Sequence, residues 1–330
     1  MTLNEVGKLA GVSRMTVSRY FNGGYVSPES RARIEKVVKE TGFQPSAQAK
    51  ALKTKRTHTI GVIVSALESS LLVGIINHLH EKMEEKGYQI LIMRYLQSKE
   101  LLIQQIKNLR ARGVDGLIVS LVIADKEIEE ELRRTPIPVV TFGSVGLEGI
   151  SGVIHDDQEG FSLLISQLKA RGYREIGCAG PDFRSQMTMW RLAAIQEEMK
   201  REGLELHGEW FIDCKNTKIT QYEMGRLLGE QYLKMKCRPK AVIAVSDQIA
   251  VGIMSSFIKA GVAIPGETAV CGYGNIEVGS FLVPSLTTID VNQIEKVNKI
   301  ASLLLEQIDK NARKEKKISV EPLLILRESI

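Results

Sequence analysis

The chain has 330 residues, more than one hydrophobic core usually organises, so several domains are expected. At 44% hydrophobic and 25% charged, with nine prolines, its composition excludes a disordered or fibrous chain. The net charge of +5 is unevenly placed: residues 1–58 hold eleven Lys/Arg against four Asp/Glu, a balance of +7, and the remainder sums to −2.

A small basic module on a near-neutral body points to a polyanionic partner for the module and a different partner for the body. Cys178, Cys214, Cys237 and Cys271 match no zinc, redox or haem spacing and read as buried thiols in a reducing compartment. No apolar run approaches the roughly 20 residues that span a bilayer, so no membrane partner is expected. The opening Met1-Thr2-Leu3-Asn4-Glu5 has neither a basic nor an apolar leader region. Export is therefore not expected, and a cytoplasmic location is.

Thr2 and Glu5 have the spacing of a capping box, which predicts a helix from Leu3 with Val6 and Leu9 on one face. Gly11 ends it, and Ser13 is placed to cap a second helix over 14–21. Two short helices joined by a tight glycine turn make a helix-turn-helix. Ser27-Pro28 starts a third helix, with Ile34, Val37 and Val38 as its apolar stripe and Gly42 as its stop. The expected DNA-binding domain spans 1–45. In such a three-helix module the second helix enters the major groove of double-stranded DNA with its first residues at base edges. Arg14, Met15, Thr16, Ser18 and Arg19 take those positions, and Arg is the commonest reader of guanine. Thr2 with Leu3 beside it, Asn22, Tyr25 and Ser27 flank this helix, and their hydroxyl and amide groups suit phosphates.

Leu3-Asn4-Glu5-Val6-Gly7-Lys8-Leu9-Ala10-Gly11-Val12-Ser13, then Thr16-Val17-Ser18-Arg19, Asn22 and Val26-Ser27, resemble the lactose-repressor (LacI/GalR) family. With the body described below, the resemblance covers essentially the whole chain. Gly7 stands where that family usually has alanine; it permits close helix approach and loses about 1 kcal/mol of helix propensity.

Residues 46–58 are read as a hinge helix and linker. Residues 46–53 are good helix formers but too few for a stable isolated helix, so the segment should order only when held. The resemblance implies that two hinge helices pair across a homodimer at the centre of a palindromic operator. Leu52 is then a minor-groove wedge with Ala49 beside it, and Ser46 stands at the helix start where the family usually has asparagine. An apolar wedge unstacks a base step and bends the duplex.

From Thr59 onward, strand-length apolar runs at 60–64, 88–93, 117–121, 138–142, 176–179, 241–245 and 269–272 alternate with helical patterns, and 318–326 reads as a final strand. This alternation predicts an α/β body of doubly wound parallel sheets covered on both faces. Its length suits two sheets in a two-lobed, periplasmic-binding-protein-like domain for effector binding and dimerisation over 59–330. Lobe one is expected over about 59–160 plus 291–318, and lobe two over about 161–290 plus 319–330.

Ligands of such sheets bind beyond the carboxyl ends of the strands, here between the lobes. Position nominates Ser65, Leu67 and Ser69 after the first strand, Arg94 and Tyr95 after the second, and Ser120 after the third. Asp157, Arg191, Ser246, Asp247 and Asn275 follow near the lobe boundary or after later strands. The resemblance places Asp157, Arg191, Ser246 and the pair 274–275 where sugar hydroxyls are held, since carboxylate and guanidinium each suit adjacent hydroxyls. Gly274 stands where the family often has aspartate, and Ser246 where it often has asparagine, so the polyol clamp is incomplete. Gly272-Tyr273-Gly274-Asn275 with His155-Asp156-Asp157 is more similar to the trehalose and sucrose repressor branch. That likeness implies a sugar or sugar-phosphate effector, with Arg94 and Arg191 as its cationic candidates.

His78 and His80 lie two apart on a helix and point to different faces, which disfavours a metal pair. No Walker, Rossmann, HExxH or GxSxG pattern occurs, so no cofactor, metal or catalytic role is expected and the chain is not read as an enzyme. The reading is an allosteric, homodimeric transcription regulator: a repressor of a carbohydrate-utilisation operon, released by a small-molecule effector. The alternative is a regulator whose DNA binding a corepressor ligand or a partner protein strengthens.

Overall fold

A computed structural model describes residues 1–44, 56–143, 146–216, 218–310 and 314–330. The chain divides into two compact units, 1–58 and 59–330.

The first unit holds three helices, α1 (Leu3–Ala10), α2 (Arg14–Phe21) and α3 (Pro28–Thr41). Their ends are set by local chemistry. The Thr2 hydroxyl accepts from the Glu5 amide while the Glu5 carboxylate accepts from the Thr2 amide, so each satisfies an otherwise orphaned donor. Ser13 Oγ accepts from Thr16 N at 3.1 Å and Ser27 Oγ from Ser30 N at 3.3 Å. Gly11 and Gly42 stop α1 and α3 in the left-handed region, each at φ 63°. Val6, Ala10, Val17, Val26, Ile34, Val37 and Phe43 close a small core. Each large apolar side chain buried there contributes about 1.5–3 kcal/mol. A Cβ on Gly7 would stand 2.8 Å from the Val12 carbonyl oxygen, so the glycine lets the turn fold back onto α1.

The second unit begins with β1 (Thr59–Val64), α4 (Ser70–Glu84), β2 (Gln89–Arg94), α5 (Lys99–Ala111), β3 (Gly116–Leu121), α6 (Lys126–Arg134), β4 (Val139–Gly143) and β5 (Ser151–His155). It continues through α7 (Asp157–Ala170), β6 (Ile176–Pro181), α8 (Gln186–Arg201), β7 (Phe211–Cys214), α9 (Gln221–Leu233), β8 (Ala241–Ala244), α10 (Asp247–Lys259), β9 (Ala269–Tyr273) and β10 (Thr287–Asp290). The last elements are α11 (Gln293–Lys310), β11 (Lys317–Val320) and β12 (Leu323–Ile325). Two six-stranded sheets result, ordered β11-β5-β4-β3-β1-β2 and β12-β10-β9-β8-β6-β7. All pairings are parallel except β10 with β12.

Burial on both faces explains the apolar strand runs. In β1, Ile60, Val62 and Val64 face a cluster that includes α4 and α11, and Ile63 faces the cluster on α5. A Cβ on Gly61 would stand 2.7 Å from Leu117 Cδ2 and 2.8 Å from Leu109 Cδ1, so α5 packs directly on that backbone.

Three segments carry the chain between sheets, at 156, 291–292 and 321–322. Helix α7 already belongs to the second lobe's core through Phe161, Leu164, Ile165 and Leu168, so that crossing precedes the expected position near 160. The expected final strand over 318–326 is two strands in different sheets. Pro322 sits between them and has no amide to donate to a ladder. Strands β5, β7 and β10 are also additions to the expected set; SGVIH, FIDC and TTID lack the apolar run that betrays a strand.

Candidate functional site

The first unit presents α2 outward. Val17 faces the core, while Arg14, Met15 and Arg19 are exposed and Thr16 and Ser18 half-buried. Met15 Sδ lies 3.9 Å from Arg19 Nη2, so the thioether lies against the guanidinium. Thr16 Oγ1 pairs with Ser13 Oγ at 2.9 Å, and Asn22 Nδ2 donates to Ser18 O at 2.7 Å. Thr2, Asn22, Tyr25 and Ser27 are all exposed, Tyr25 at 86%. Leu3 instead packs its side chain against the small core. The expected hinge residues Ser46, Ala49 and Leu52 lie outside the described residues.

In the second unit, the two lobes meet at a junction lined by the chain crossings. Five elements contribute to one buried cluster there. Lys296 on α11 donates from Nζ to His155 Nδ1 at 2.9 Å, which leaves the neutral imidazole's proton on Nε2, 3.3 Å from Asp157 Oδ1. The Tyr273 hydroxyl, at the end of β9, donates to the same Asp157 oxygen. Arg191 on α8 lies over the Tyr273 ring with its guanidinium carbon 4.0 Å from the centroid. It donates from Nη1 to Val245 O at 2.7 Å, and its Nε stands 3.6 Å from Asp157 Oδ2. Burial pushes His155 down, an effect the Lys296 charge adds to, and burial pushes Lys296 down to about 7.

Further contacts tie the lobes. Ala124 N donates to Gln186 Oε1 at 2.7 Å, and Gln186 Nε2 donates back to Ala124 O at 3.4 Å. Gln248 Oε1 accepts from Ser70 N and its Nε2 donates to Glu68 O, both at 3.4 Å. Gln293 Nε2 donates to Gly274 O at 2.8 Å. Leu71 packs against the cores of both lobes.

Of the expected effector residues, the structure brings Asp157 and Arg191 into contact. Ser65 and Ser120 are buried at their strand ends, Leu67 is exposed, and Ser69 Oγ caps α4. Arg94 pairs with Glu68 at 3.3 Å on the surface. Ser246 caps α10 and donates to Gln221 Oε1 at 2.6 Å. Three further expected residues have their polar atoms engaged within the protein. Tyr95 has no exposed surface, donates to Ser120 O at 2.9 Å and accepts from Val122 N at 3.2 Å; burial raises its hydroxyl's pKa. Asp247 accepts from Thr288 Oγ1 at 2.6 Å and Ile276 N at 2.8 Å, and burial lifts it to about 6. Asn275 donates to Asp290 Oδ2 at 3.0 Å and accepts from Arg327 Nη2 at 2.8 Å. Asp247 and Asn275 thus brace the 274–276 turn.

Sequence reasoning passed over Lys296 and Gln186, and it quoted Tyr273 and His155 for the family likeness without giving them a role in the site. Lys296 had a signal: it stands four residues before Ile300, in register with the buried positions Ala301, Leu303 and Leu304, where a lysine is out of place. Gln186 had none, since its partner is a backbone 62 residues away.

Residues 2–46 match the bacterial regulatory proteins, lacI family, and residues 165–330 match the periplasmic binding protein-like domain. The chain belongs to the LacI family of bacterial regulators. As a LacI-family protein it is a DNA-binding transcription regulator and not an enzyme. The ribose operon repressor of Escherichia coli K12 is 28% identical over 331 residues, covering 99% of each chain. The HTH-type transcriptional repressor PurR of Vibrio parahaemolyticus is 27% identical over 100% of this chain and 98% of its own. Among solved structures, a lac repressor dimer bound to operator and an anti-inducer superposes with a TM-score of 0.86 at 24% identity, covering 100% of this chain and 98% of that one. A LacI-family regulator from Lactobacillus casei with bound sucrose gives 0.74 at 22% identity, over 82% of this chain and 99% of that one. These two likenesses concern the fold. Within the LacI fold, this chain's Gly274 has φ 128° and stands beside Leu71, so an apolar side chain borders that position. No helix among the described residues is long and apolar enough to cross a membrane.

Proposed function

We propose that this LacI-family chain is a cytoplasmic homodimeric repressor of a carbohydrate-utilisation operon, released when a small sugar-type effector enters the interlobe cleft. Two modules over 1–45 read the halves of a palindromic operator while the bodies over 59–330 hold the partners at the separation that this requires. The effector changes that separation. A few kcal/mol of differential affinity between the two states suffices for such a switch.

The observation that carries this reading is the capped α2, with Arg14, Met15 and Arg19 exposed in a module of balance +7. The ribose operon repressor among its relatives supports a carbohydrate operon as the target. Asp157 and Arg191 are the two expected effector residues in mutual contact at the lobe junction, which supports them as the groups that meet the ligand. By linkage, an effector that weakens DNA binding is itself bound more weakly by the operator complex, by the same factor.

The test is an operator titration on DNA selected from a random library by the full-length protein, repeated with candidate sugars and sugar phosphates. Affinity should fall with effector and fall steeply with salt, about 0.9 log units per decade for each phosphate neutralised. An effector that tightens binding selects the corepressor alternative instead, and failure to enrich any sequence sinks the DNA-reading role of α2.

A further inference from the structure

We infer that the effector carries an anionic group, a carboxylate or a phosphate, and that Lys296 together with Arg191 holds it at the lobe junction. This rests on the reading of the cleft as an effector site and narrows its ligand class.

The argument begins with charge inside a closed space. Lys296 is 1% exposed and Arg191 6%, so both cationic side chains are withdrawn from water. The carboxylate in direct contact with their cluster is Asp157, itself 8% exposed. Its Oδ1 is shared between Tyr273 and His155, and its Oδ2 stands 3.6 Å from Arg191 Nε, too far for a hydrogen bond. Arg191 Nε is accordingly a buried donor with no hydrogen-bond partner. Lys296 reaches an imidazole rather than a carboxylate, at 2.9 Å. Asp290 acts on Lys296 through charge alone, and of the two cationic groups Arg191 is the one with a carboxylate within ion-pair distance, so an incoming anion would give the buried Lys296 ammonium a direct anionic partner.

The position of Lys296 adds to this. A surface lysine runs its stem along apolar atoms and keeps its ammonium in water. Lys296 instead stands in the core register of α11, between two lobes whose contacts, Gln186 with Ala124 and Gln248 with Ser70, bring its surroundings together. Both cationic groups lie where the chain crosses between lobes, so an anion bridging Lys296 of lobe one and Arg191 of lobe two would bear on their separation.

A proton accompanies the anion. The groups facing Lys296 are His155 from β5, Asp157 from α7, Arg191 from α8 and Asp290 from β10. Burial holds the amine down to about 7, and Asp157 works against that shift. An added anion acts in Asp157's direction and favours the ammonium. Above pH 7 binding therefore takes up a proton, and affinity falls by up to about tenfold per pH unit until the bound amine itself titrates.

The experiment uses the full-length protein and its Lys296→Met variant, followed by calorimetry and thermal shift at constant ionic strength. The probes are inorganic phosphate, gluconate, glucose 6-phosphate and neutral glucose, the acid and the phosphate ester separating the two anionic classes. The expected result is that an anion binds the wild type about tenfold or more tighter than glucose does, the size of one charge-assisted hydrogen bond. Lys296→Met should lose that advantage. If glucose binds as tightly as its acid and phosphate ester, the charge assignment is overturned while the sugar-effector reading stands. If no probe binds, inorganic phosphate included, the effector reading for this class falls with it. Equal anion affinity in Lys296→Met overturns the role of Lys296. Where the variant fails to fold, wild-type calorimetry at pH 8 in two buffers of different ionisation enthalpy decides, since no proton uptake on anion binding refutes the proposal.

Discussion

Replacing Asp247 by asparagine should stabilise the body above pH 6 and change little below pH 4. The side chain is 1% exposed, and its carboxylate accepts from Thr288 Oγ1 at 2.6 Å and from Ile276 N at 2.8 Å. Those hydrogen bonds and the Arg327 charge do not offset burial, which raises the group from 3.8 to about 6. A folded-state value above the unfolded one means that ionisation opposes folding. The stability associated with the protonated acid is fully present below pH 3.8 and is lost as pH rises through 6. A shift of about two units corresponds to an upper figure of about 3 kcal/mol, at 1.36 kcal/mol per unit. Asparagine reproduces the protonated acid: its oxygen can accept from Ile276 N, and its amide can donate to the Thr288 hydroxyl, which turns to accept. Gly272 leaves just enough room, since a Cβ there would fall 2.0 Å from Asp247 Oδ1.

The assay is scanning calorimetry of wild type and Asp247→Asn from pH 4 to 8, with the difference between proteins isolating this group from His155 and Lys296. The variant's melting temperature should exceed the wild type's by roughly 2–4 °C per kcal/mol near pH 7.5, converging toward pH 4. A variant destabilised at pH 7.5, or a pH-independent difference, would refute the reasoning.

Ile34→Ala should unfold the first unit alone. Ile34 has no exposed surface in a core of seven residues, and its truncation costs about 2–5 kcal/mol, so operator binding should vanish while the calorimetric transition of the body stays put. Gly225→Ala should destabilise the body by about 1–3 kcal/mol or more in denaturant melts, because a Cβ there would meet the Ile249 carbonyl oxygen at 2.2 Å where α9 and α10 cross. Gln186→Ala removes both hydrogen bonds to Ala124, and the Ala124 amide should exchange with deuterium about tenfold faster; unchanged protection would show that the clip does not hold the lobes.

Much of the first unit was legible because its signals are local. Thr2, Ser13 and Ser27 cap helices within three residues of themselves, and Gly11 and Gly42 stop them in a conformation that glycine adopts freely. The alternation of apolar runs and helical patterns was legible for a related reason, since strands covered on both faces must be apolar throughout. Short strands such as β10 escaped notice because TTID owes its place to neighbours in the sheet rather than to its own composition.

The candidate site was read less completely. Asp157 and Arg191 were nominated by strand-end position and resemblance, and they meet. Tyr95, Asp247 and Asn275 satisfied the same rule, but a residue after a strand turns toward ligand or toward protein according to what lies across from it. Thr288, Ile276, Asp290 and Arg327 lie across from Asp247 and Asn275.

By itself, then, the sequence determined the charge split, the capped reader helix and the alternating body, because each is written in composition or in spacing over a few residues. Only the tertiary structure decided which polar groups share the lobe junction. Lys296 and His155 are 141 residues apart, and Asp157 and Tyr273 are 116 apart. Three crossings between two sheets close those distances, and burial in that junction turns an ordinary lysine into an amine poised near neutral pH.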